Sequence, residues 1–317
     1  MTSYGFTLMT EIHGPRQLVE QAVAAEAAGF DFAAMSDHFH PWLEAQGNSP
    51  YAWTVLGTVA DRTERMALMT MVTCPFLRYH PAVVAQAAAT VQILSGGRFT
   101  LGLGAGENLN EHVVGLGWPS VPSRHDLLAE SIEIIRRLFE GGEHSFRGDH
   151  LNLEAARLYS LPEMPPPLAV AAGGPAAARL AGELGDSLIA VAPDAKLVKA
   201  YREAGGAGPT YGQVALSWAP DEETARQQAW ELFRFGVSGW EVMAELPTPA
   251  AFEAATKTVR EDDVTGLVAC GPRPEIHVEA VRRFVDAGFD HVAVVQTGRD
   301  QAGFLRFWEE EVRPKLD

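Results

Sequence analysis

The sequence predicts an α/β fold in which eight parallel strands, each followed by a helix, close into a (β/α)8 barrel, also called a TIM barrel. Short apolar, β-branched runs alternate with amphipathic helical segments along nearly the whole chain. A short repeat of helix, glycine and acidic residue precedes the strands after residues 28–31 and 287–290, with a looser copy at 184–186. Glycine suits the turn that ends a helix, so we interpret this repeat as architectural. A chain of 317 residues fits one such barrel.

The elements follow from where each periodic pattern begins and ends. The predicted strands are 4–10, 30–36, 67–73, 99–104, 168–172, 187–192, 212–218 and 291–296. The predicted helices are 16–28, 81–94, 124–140, 175–184, 195–204, 221–236, 275–287 and 301–313.

Two segments interrupt the alternation, and we expect a single domain over 1–317 that carries both as insertions. Residues 142–167, after the fourth strand, alternate polar and apolar side chains and end in several prolines, which predicts a β-hairpin and a stiff connector. Residues 237–273, between the seventh and eighth strands, are irregular and predict a helical insertion. Insertions on the active-site face of a barrel commonly set its choice of substrate.

The charge, hydropathy and cysteine content of the chain argue against several classes of binding partner and site. A net charge of −16 argues against nucleic acid and anionic membranes, which bind proteins through Lys and Arg. The sequence has no apolar run of the roughly 20 residues that span a membrane and no signal-peptide pattern at its start. Only Cys74 and Cys270 are cysteines, and neither belongs to a metal-binding cluster. We therefore expect a cytoplasmic protein with a small-molecule partner.

Polar residues cluster where the predicted strands end, which is where barrels carry their functional groups. The segments are SDHFHPW at 36–42, TCP at 73–75, GAGENLNE at 104–111 and AGGP at 172–175. An imidazole, carboxylates, an indole and two glycine-rich turns should therefore meet at one rim of the barrel.

His38 is the candidate general base, because an imidazole can accept a hydroxyl proton near neutral pH. Either Asp37 or a backbone carbonyl would fix its tautomer. The alternative is a structural histidine at a strand end, and we assign His40 a supporting role. Trp42 either stacks over a bound ring or covers the hairpin insertion; its spacing of four residues from His38 favours the first.

Glu107 is a candidate proton donor, provided that burial raises its pKa. The alternative is a carboxylate that caps the following helix, a role that suits Glu111 better. Gly173 and Gly174 open another helix, where small residues let the backbone approach a flat ring or a phosphate.

The histidines of 36–42 also fit one ligand pair of a metal-dependent hydrolase barrel. Such a site needs further histidines after the fifth and sixth strands and an aspartate after the eighth. Those strand ends read AAGG, VAP and QTG, so we predict no metal.

These segments, together with RYHPA at 78–82, resemble the luciferase-like superfamily of flavin and deazaflavin barrel enzymes. Within it, the sequence is similar to the F420-dependent glucose-6-phosphate and alcohol dehydrogenases over nearly the whole chain. The resemblance implies a homodimer that binds coenzyme F420 at the carboxyl-end rim and transfers a hydride between F420 and a small alcohol or carbonyl substrate.

The resemblance also implies roles for individual residues. The F420 ring would lie against a non-proline cis peptide at Met71–Val72, with His38 and Trp42 facing the reacting carbon. Glu107 would act near the pyrimidine edge of the ring and Glu11 would be a further catalytic carboxylate; whether His38 or Glu11 is the base stays open. The implied cofactor-binding residues are Asp37, Met71, Val72, Cys74, Gly106, Glu107, Asn110, Ala172, Gly173 and Gly174.

The sequence departs from the sugar-phosphate enzymes of this superfamily at 191–196. That segment reads VAPDAK where those enzymes carry a TSGK-type phosphate-binding segment, and Asp194 would repel a phosphate. We therefore expect an alcohol, hydroxy acid or unphosphorylated sugar as substrate. A sugar phosphate held by Lys196 or Lys199, an FMN-dependent monooxygenase and a barrel that only binds remain the alternatives.

Overall fold

The computed structural model describes residues 2–316, so residues 1 and 317 of the predicted domain lie outside the described part. The strands are β1 Ser3–Leu8, β2 Phe32–Met35, β3 Ala67–Thr70, β4 Phe99–Leu103, β5 His144–Arg147, β6 Asn152–Ala156, β7 Leu168–Ala171, β8 Ser187–Ala190, β9 Thr210–Ser217, β10 Ala269–Cys270 and β11 His291–Gln296. The helices are α1 Pro15–Ala27, α2 Ala52–Arg62, α3 Pro81–Leu94, α4 Asn108–Glu111, α5 Val121–Phe139, α6 Pro175–Leu184, α7 Ala195–Glu203, α8 Glu222–Phe233, α9 Trp240–Met243, α10 Pro249–Ala255, α11 Glu261–Thr265, α12 Pro274–Asp286, α13 Gln301–Phe307 and α14 Arg313–Leu316. Short 3-10 segments cover His112–Val114 and Arg234–Ser238, and a π-helical turn covers Trp308–Val312.

Eight parallel strands close into the predicted barrel. Their order is β9, β11, β1, β2, β3, β4, β7 and β8, and β8 pairs with β9 to complete the circle. The short strand β10 adds two residues beside the end of β9. The (β/α)8 fold is therefore confirmed. Among residues 2–316, no helix is both long and apolar enough to cross a membrane.

The interior of the barrel is filled by alternate residues of its strands, so packed side chains, and not an open channel, lie beneath the carboxyl-end rim. Phe32 of β2 reaches across to β1, where a Cβ on Gly5 would lie only 2.3 Å from the Phe32 ring. Further buried interior side chains are Ala34, Met69, Met71, Ala169, Ile189 and Ala293.

Aspartates secure the amino-terminal end of the barrel. Asp31 accepts a hydrogen bond from the backbone of Tyr4 at 2.7 Å, Asp186 from Leu168 at 2.8 Å and Asp290 from Thr210 at 2.9 Å. Each bond ties the start of one strand to its neighbour, as the architectural interpretation of the repeat requires. These aspartates thus serve the structure of the amino-terminal end, and functional groups are expected at the opposite, carboxyl end of the strands.

The structure contains a helix, α2, that the periodicity of the sequence did not predict. Its sequence AWTVLGTVADR contains β-branched residues and a glycine, all of which weaken intrinsic helix preference. The helix nevertheless buries six side chains against the barrel. Tertiary packing therefore overrides local propensity here.

The two irregular segments lie where the strand pattern is interrupted. Residues 142–167 contain the antiparallel pair β5 and β6, and Glu130 of α5 accepts hydrogen bonds from the backbone of Asp149, His150 and Leu151 at the hairpin turn. Residues 237–273 contain α9, α10, α11 and β10. Phe235 and Phe252, around this second segment, pack against Trp42 at the rim.

Candidate active site

His38 lies between two carboxyl groups that come from different strand ends. Its Nδ1 is 3.5 Å from Glu11 Oε1, beyond β1, and its Nε2 is 3.4 Å from Glu107 Oε2, beyond β4. The side chains are 10%, 3% and 16% exposed for His38, Glu11 and Glu107 respectively. The barrel thus brings together an imidazole and two carboxyl groups that are far apart in the sequence, in a largely buried setting.

Glu11 is held by neighbouring hydroxyl groups. Ser36 Oγ donates to Glu11 Oε2 at 2.7 Å, and Ser36 Oγ in turn accepts a hydrogen bond from the backbone N–H of Thr10 at 3.1 Å. One carboxylate oxygen is therefore fixed by Ser36, while Oε1 faces His38. This arrangement orients the imidazole from the Nδ1 side.

Glu107 meets the condition for a proton donor. Burial raises the pKa of its carboxyl group, while His38 and a hydrogen bond from Asn110 act in the opposite direction. Glu107 occupies the N-cap position of α4, yet its side chain makes no capping hydrogen bond. The alternative interpretation of Glu107 as a helix-capping carboxylate is therefore wrong. Its carboxyl group instead contacts His38 and accepts a hydrogen bond from Asn110 Nδ2 at 2.8 Å.

His40 and Trp42 differ in how they relate to His38. The Nδ1 of His40 is bound to the carbonyl of Leu109 at 2.9 Å, whereas His38 is the histidine that contacts Glu11 and Glu107. The Trp42 ring lies 5.0 Å from the His38 ring, edge to face, and stacks on Phe235 at 4.8 Å. Trp42 thus both borders His38 and packs on the second irregular segment, instead of covering the β5–β6 hairpin.

Asp37 links the loops after β2 and β3. Its buried carboxylate accepts hydrogen bonds from Thr73 Oγ1 at 2.8 Å, Tyr79 at 3.1 Å and Arg78 at 3.2 Å. The guanidinium of Arg78 also lies 3.5 Å from Glu111, and burial raises the pKa of Glu111 to about 8. Asp37 therefore holds the neighbouring loops in place through its side chain.

Sequence reasoning missed Thr73, Arg78 and Tyr79 as parts of this network. Arg78 and Tyr79 belong to the RYHPA segment that carries the resemblance, which was the available signal. Their long side chains reach back over 41 and 42 positions of the sequence to Asp37. Periodicity does not report such contacts.

The end of β3 closely approaches the loop after β4. The peptide bond between Met71 and Val72 is cis, as the resemblance implies. Gly106 has φ +74°, and a Cβ there would lie 2.7 Å from Cys74 Sγ. Burial raises the pKa of the Cys74 thiol, so Cys74 is a neutral packing group in this structure.

The glycine turn after β7 leaves the start of α6 open. Gly174 is the N-cap of α6, no side chain from residues 2–316 caps this helix, and a Cβ on Gly174 would meet nothing within 4 Å. Gly173 is covered by Trp240 of α9, because a Cβ there would lie 2.9 Å from Trp240 Cδ1. The first amide groups of α6 are thus available to an anion.

The start of α7 differs from that of α6. Asp194 caps α7, accepting a hydrogen bond from the backbone of Lys196 at 2.8 Å. A carboxylate therefore already occupies the position where a helix N-terminus would attract a phosphate. Within the described residues, no group of three or more His, Cys, Asp and Glu side chains is arranged to hold a metal ion.

Comparison with known proteins places this chain among barrel oxidoreductases. The family model for luciferase-like monooxygenases matches residues 2–291. The chain is 34% identical to an F420-dependent glucose-6-phosphate dehydrogenase of Microbacterium testaceum, over 99% of this chain and 97% of that protein. It is 39% identical to the F420-dependent hydroxymycolic acid dehydrogenase of Mycobacterium tuberculosis, over 90% and 80%.

Solved structures agree with this placement. An F420-dependent secondary alcohol dehydrogenase in complex with an F420-acetone adduct matches with a TM-score of 0.92 and 30% identity, covering 100% of this chain and 99% of that one. The coenzyme F420-dependent tetrahydromethanopterin reductase from Methanopyrus kandleri matches with a TM-score of 0.79 at 23% identity, which shows the shared fold. The chain belongs to the luciferase-like monooxygenase family.

Proposed function

We propose that this protein is an F420-dependent oxidoreductase that interconverts the CH–OH and C=O forms of a small substrate. The observation that carries the proposal is His38 held between Glu11 and Glu107 at the carboxyl-end rim. An imidazole between two carboxyl groups suits the proton movements that accompany alcohol oxidation and carbonyl reduction. The F420-dependent relatives named above support the choice of cofactor.

The residues at the rim fit a cofactor with a flat ring and an anionic tail. The glycine turn at 173–174 leaves the start of α6 uncapped, which suits a phosphate. When bound, F420 would accept a hydride from the substrate or return it. The residues proposed to hold it are Asp37, Met71, Val72, Cys74, Gly106, Glu107, Asn110, Ala172, Gly173 and Gly174.

His38 is the proposed base, with Glu11 as its orienting partner. The Nδ1 of His38 faces Glu11 and also lies 3.2 Å from the carbonyl of His40, so a proton on Nδ1 is well placed to be donated there. Nε2 is then the nitrogen that accepts a hydroxyl proton from the substrate. Glu11 already binds Ser36 through Oε2 and faces the imidazole through Oε1, which favours His38 over Glu11 as the base.

Glu107 is the proposed proton donor on the other side of His38. Because burial raises its pKa, the carboxyl group retains a proton to a higher pH than an exposed glutamate does. It can therefore hold a proton at the rim beside His38. Trp42, buried beside His38, limits the access of water to this region.

The proposed substrate is an unphosphorylated alcohol or hydroxy compound. Asp194 at the start of α7 disfavours an anion there, and Lys199, which could compensate, lies 3.7 Å from Glu203. The aromatic residues Trp42, Phe235 and Trp240 border the rim and favour an apolar substituent. This combination supports a neutral alcohol over a sugar phosphate.

The test is a titration of the purified protein with F420 and, separately, with FMN, followed by tryptophan fluorescence. Saturable F420 binding should be accompanied by loss of the visible absorbance of oxidised F420 when a secondary alcohol is added. Glucose and glucose 6-phosphate serve as matched substrates that differ only in the phosphate. Tight binding of FMN, with no binding of F420, would contradict the proposal and favour a flavin monooxygenase.

A further inference from the structure

Asn110 makes three side-chain hydrogen bonds that connect the loops carrying His38 and Glu107. Its Oδ1 accepts hydrogen bonds from the backbone of Phe39 at 2.9 Å and of His40 at 3.1 Å. Its Nδ2 donates to Glu107 Oε2 at 2.8 Å. The side chain is 2% exposed, so these bonds are shielded from competing water.

The hydrogen bond from Asn110 to Glu107 is made to the carboxyl oxygen that faces His38. Glu107 Oε2 is also the atom that lies 3.4 Å from His38 Nε2. The other end of Asn110 binds the two residues that directly follow His38 in the chain. One amide therefore fixes both members of the contact, the carboxyl group through Nδ2 and the histidine loop through Oδ1.

We propose that Asn110 is a positioning residue that holds Glu107 Oε2 against His38 Nε2 and so permits a proton to pass between them. In that step the O–H bond of Glu107 breaks and an N–H bond forms on His38, which leaves a carboxylate beside an imidazolium. The catalytic importance of the step rests on the proposed function. The contact itself is made by two side chains of the chain.

Because Asn110 donates to Glu107 through its amide nitrogen, it lowers the pKa of the Glu107 carboxyl group. A donated hydrogen bond favours the ionised form of a carboxyl group, so the Nδ2 contact lowers the pKa of Glu107 against the larger, opposing effect of burial. Asn110 thereby keeps the Glu107 proton exchangeable within its buried setting. The other titratable or charged groups around Glu107 are His38, Glu11, Arg78, Glu111 and Cys74.

The variant Asn110→Asp isolates the donor. It has the same shape and keeps an oxygen that accepts from Phe39 and His40, but it replaces the donor to Glu107 with a second anionic oxygen. The full chain is labelled with ¹³C in the histidine rings, the His38 signal is assigned by its loss in His38→Gln, and its shift is followed against pH without cofactor. We expect the midpoint of that titration to move upward by about one pH unit or more. An unchanged midpoint would overturn the proposal.

Asn108→Asp is the matched control for added charge. Asn108 lies on the same short helix, but its Nδ2 donates to the carbonyl of Glu245 at 2.9 Å instead of to Glu107. The proposal requires a clearly smaller shift of the His38 midpoint in this control. Equal shifts in the two variants would mean that charge at a distance is responsible, and the positioning role would fail.

Asn110→Ala covers the case in which a buried aspartate prevents folding. It removes the donor without adding charge, so Glu107 stays neutral to a higher pH and the His38 midpoint should fall. A merely structural residue would instead lower the melting temperature and leave the midpoint unchanged. The titration is read without F420. A wild-type protein that fails to turn over F420 would therefore reject the proposed function while leaving the titration result intact.

Discussion

His38 Nε2 lies 3.4 Å from Glu107 Oε2, although the two residues follow different strands of the barrel. The opposite nitrogen of the same ring faces Glu11 at 3.5 Å. The imidazole, which follows β2, is therefore flanked on both sides by carboxyl groups from two other strand ends, those of β1 and β4. In the proposed function, Glu11 orients the imidazole, His38 exchanges a proton with the substrate and Glu107 holds a proton.

Replacing His38 with Gln should reduce kcat for alcohol oxidation by roughly 10²- to 10⁴-fold, because general base catalysis typically contributes that much. Binding of F420, followed by tryptophan fluorescence, should change little. His40→Gln is the control, since the His40 ring is bound to the carbonyl of Leu109 and not to the carboxyl pair. Comparable losses in both variants would mean that His38 acts only through the structure of the loop.

Replacing Glu107 with Gln should remove a limb from the pH profile of kcat/KM. Burial raises the pKa of Glu107, so the protonated form persists above the usual range, and activity that needs this proton falls as pH rises through the raised value. Glutamine cannot titrate, so the variant should be slower and lack this high-pH decline. An unchanged limb in the Glu107→Gln profile would assign it to a different group.

Glu111 should make stability depend on pH near neutrality. Its pKa is raised from 4.5 to about 8, chiefly by burial, so between these values the folded state binds a proton that the unfolded state has released. Stability from this group is therefore fully present below pH 4.5 and is lost as pH rises to about 8. Urea unfolding across this interval should show the decline in wild type and a flatter dependence in Glu111→Gln.

The matched control for this measurement is Glu310→Gln, which alters an exposed glutamate of the π-helical turn. It should retain the pH dependence of the wild-type protein. A decline of the same steepness in Glu111→Gln as in Glu310→Gln would show that Glu111 is not the group responsible.

Asp194→Ser should change substrate preference. Serine can still cap α7, so helix stability should be largely kept, but the negative charge at the helix start is removed. We expect the ratio of kcat/KM for glucose 6-phosphate to that for glucose to rise severalfold. Asp221→Ser is the control, because Asp221 caps α8 in the same manner through Thr224. If the ratio does not move, the charge of Asp194 plays no part in rejecting phosphate.

Much of the fold could be predicted because its signals are local. Apolar runs identified the strands, and Asp31 and Asp290, marked by the short repeat, indeed tie neighbouring strands together. Helix α2 escaped prediction because its β-branched residues obscure a helix that packing stabilises.

The site was predicted less completely. Glu11, His38, Trp42 and Glu107 were recognised as candidates and lie together, although their roles stay proposals. The contacts of Arg78 with Asp37 depend on side-chain reach across strands, and spacing along the chain does not encode them. The same holds for Asn110, whose backbone partners lie 70 and 71 positions away.

The most direct test of the central claim follows the hydrogen itself. The protein is mixed with oxidised F420 and a secondary alcohol that carries deuterium on its carbinol carbon, and the reduced cofactor is analysed by mass spectrometry. The account predicts that the wild-type protein forms reduced F420 that contains one deuterium from the alcohol, and that His38→Gln forms the same product roughly 10²- to 10⁴-fold more slowly. Absence of F420 reduction by the wild-type protein, with oxygen uptake when FMN is supplied, would contradict it.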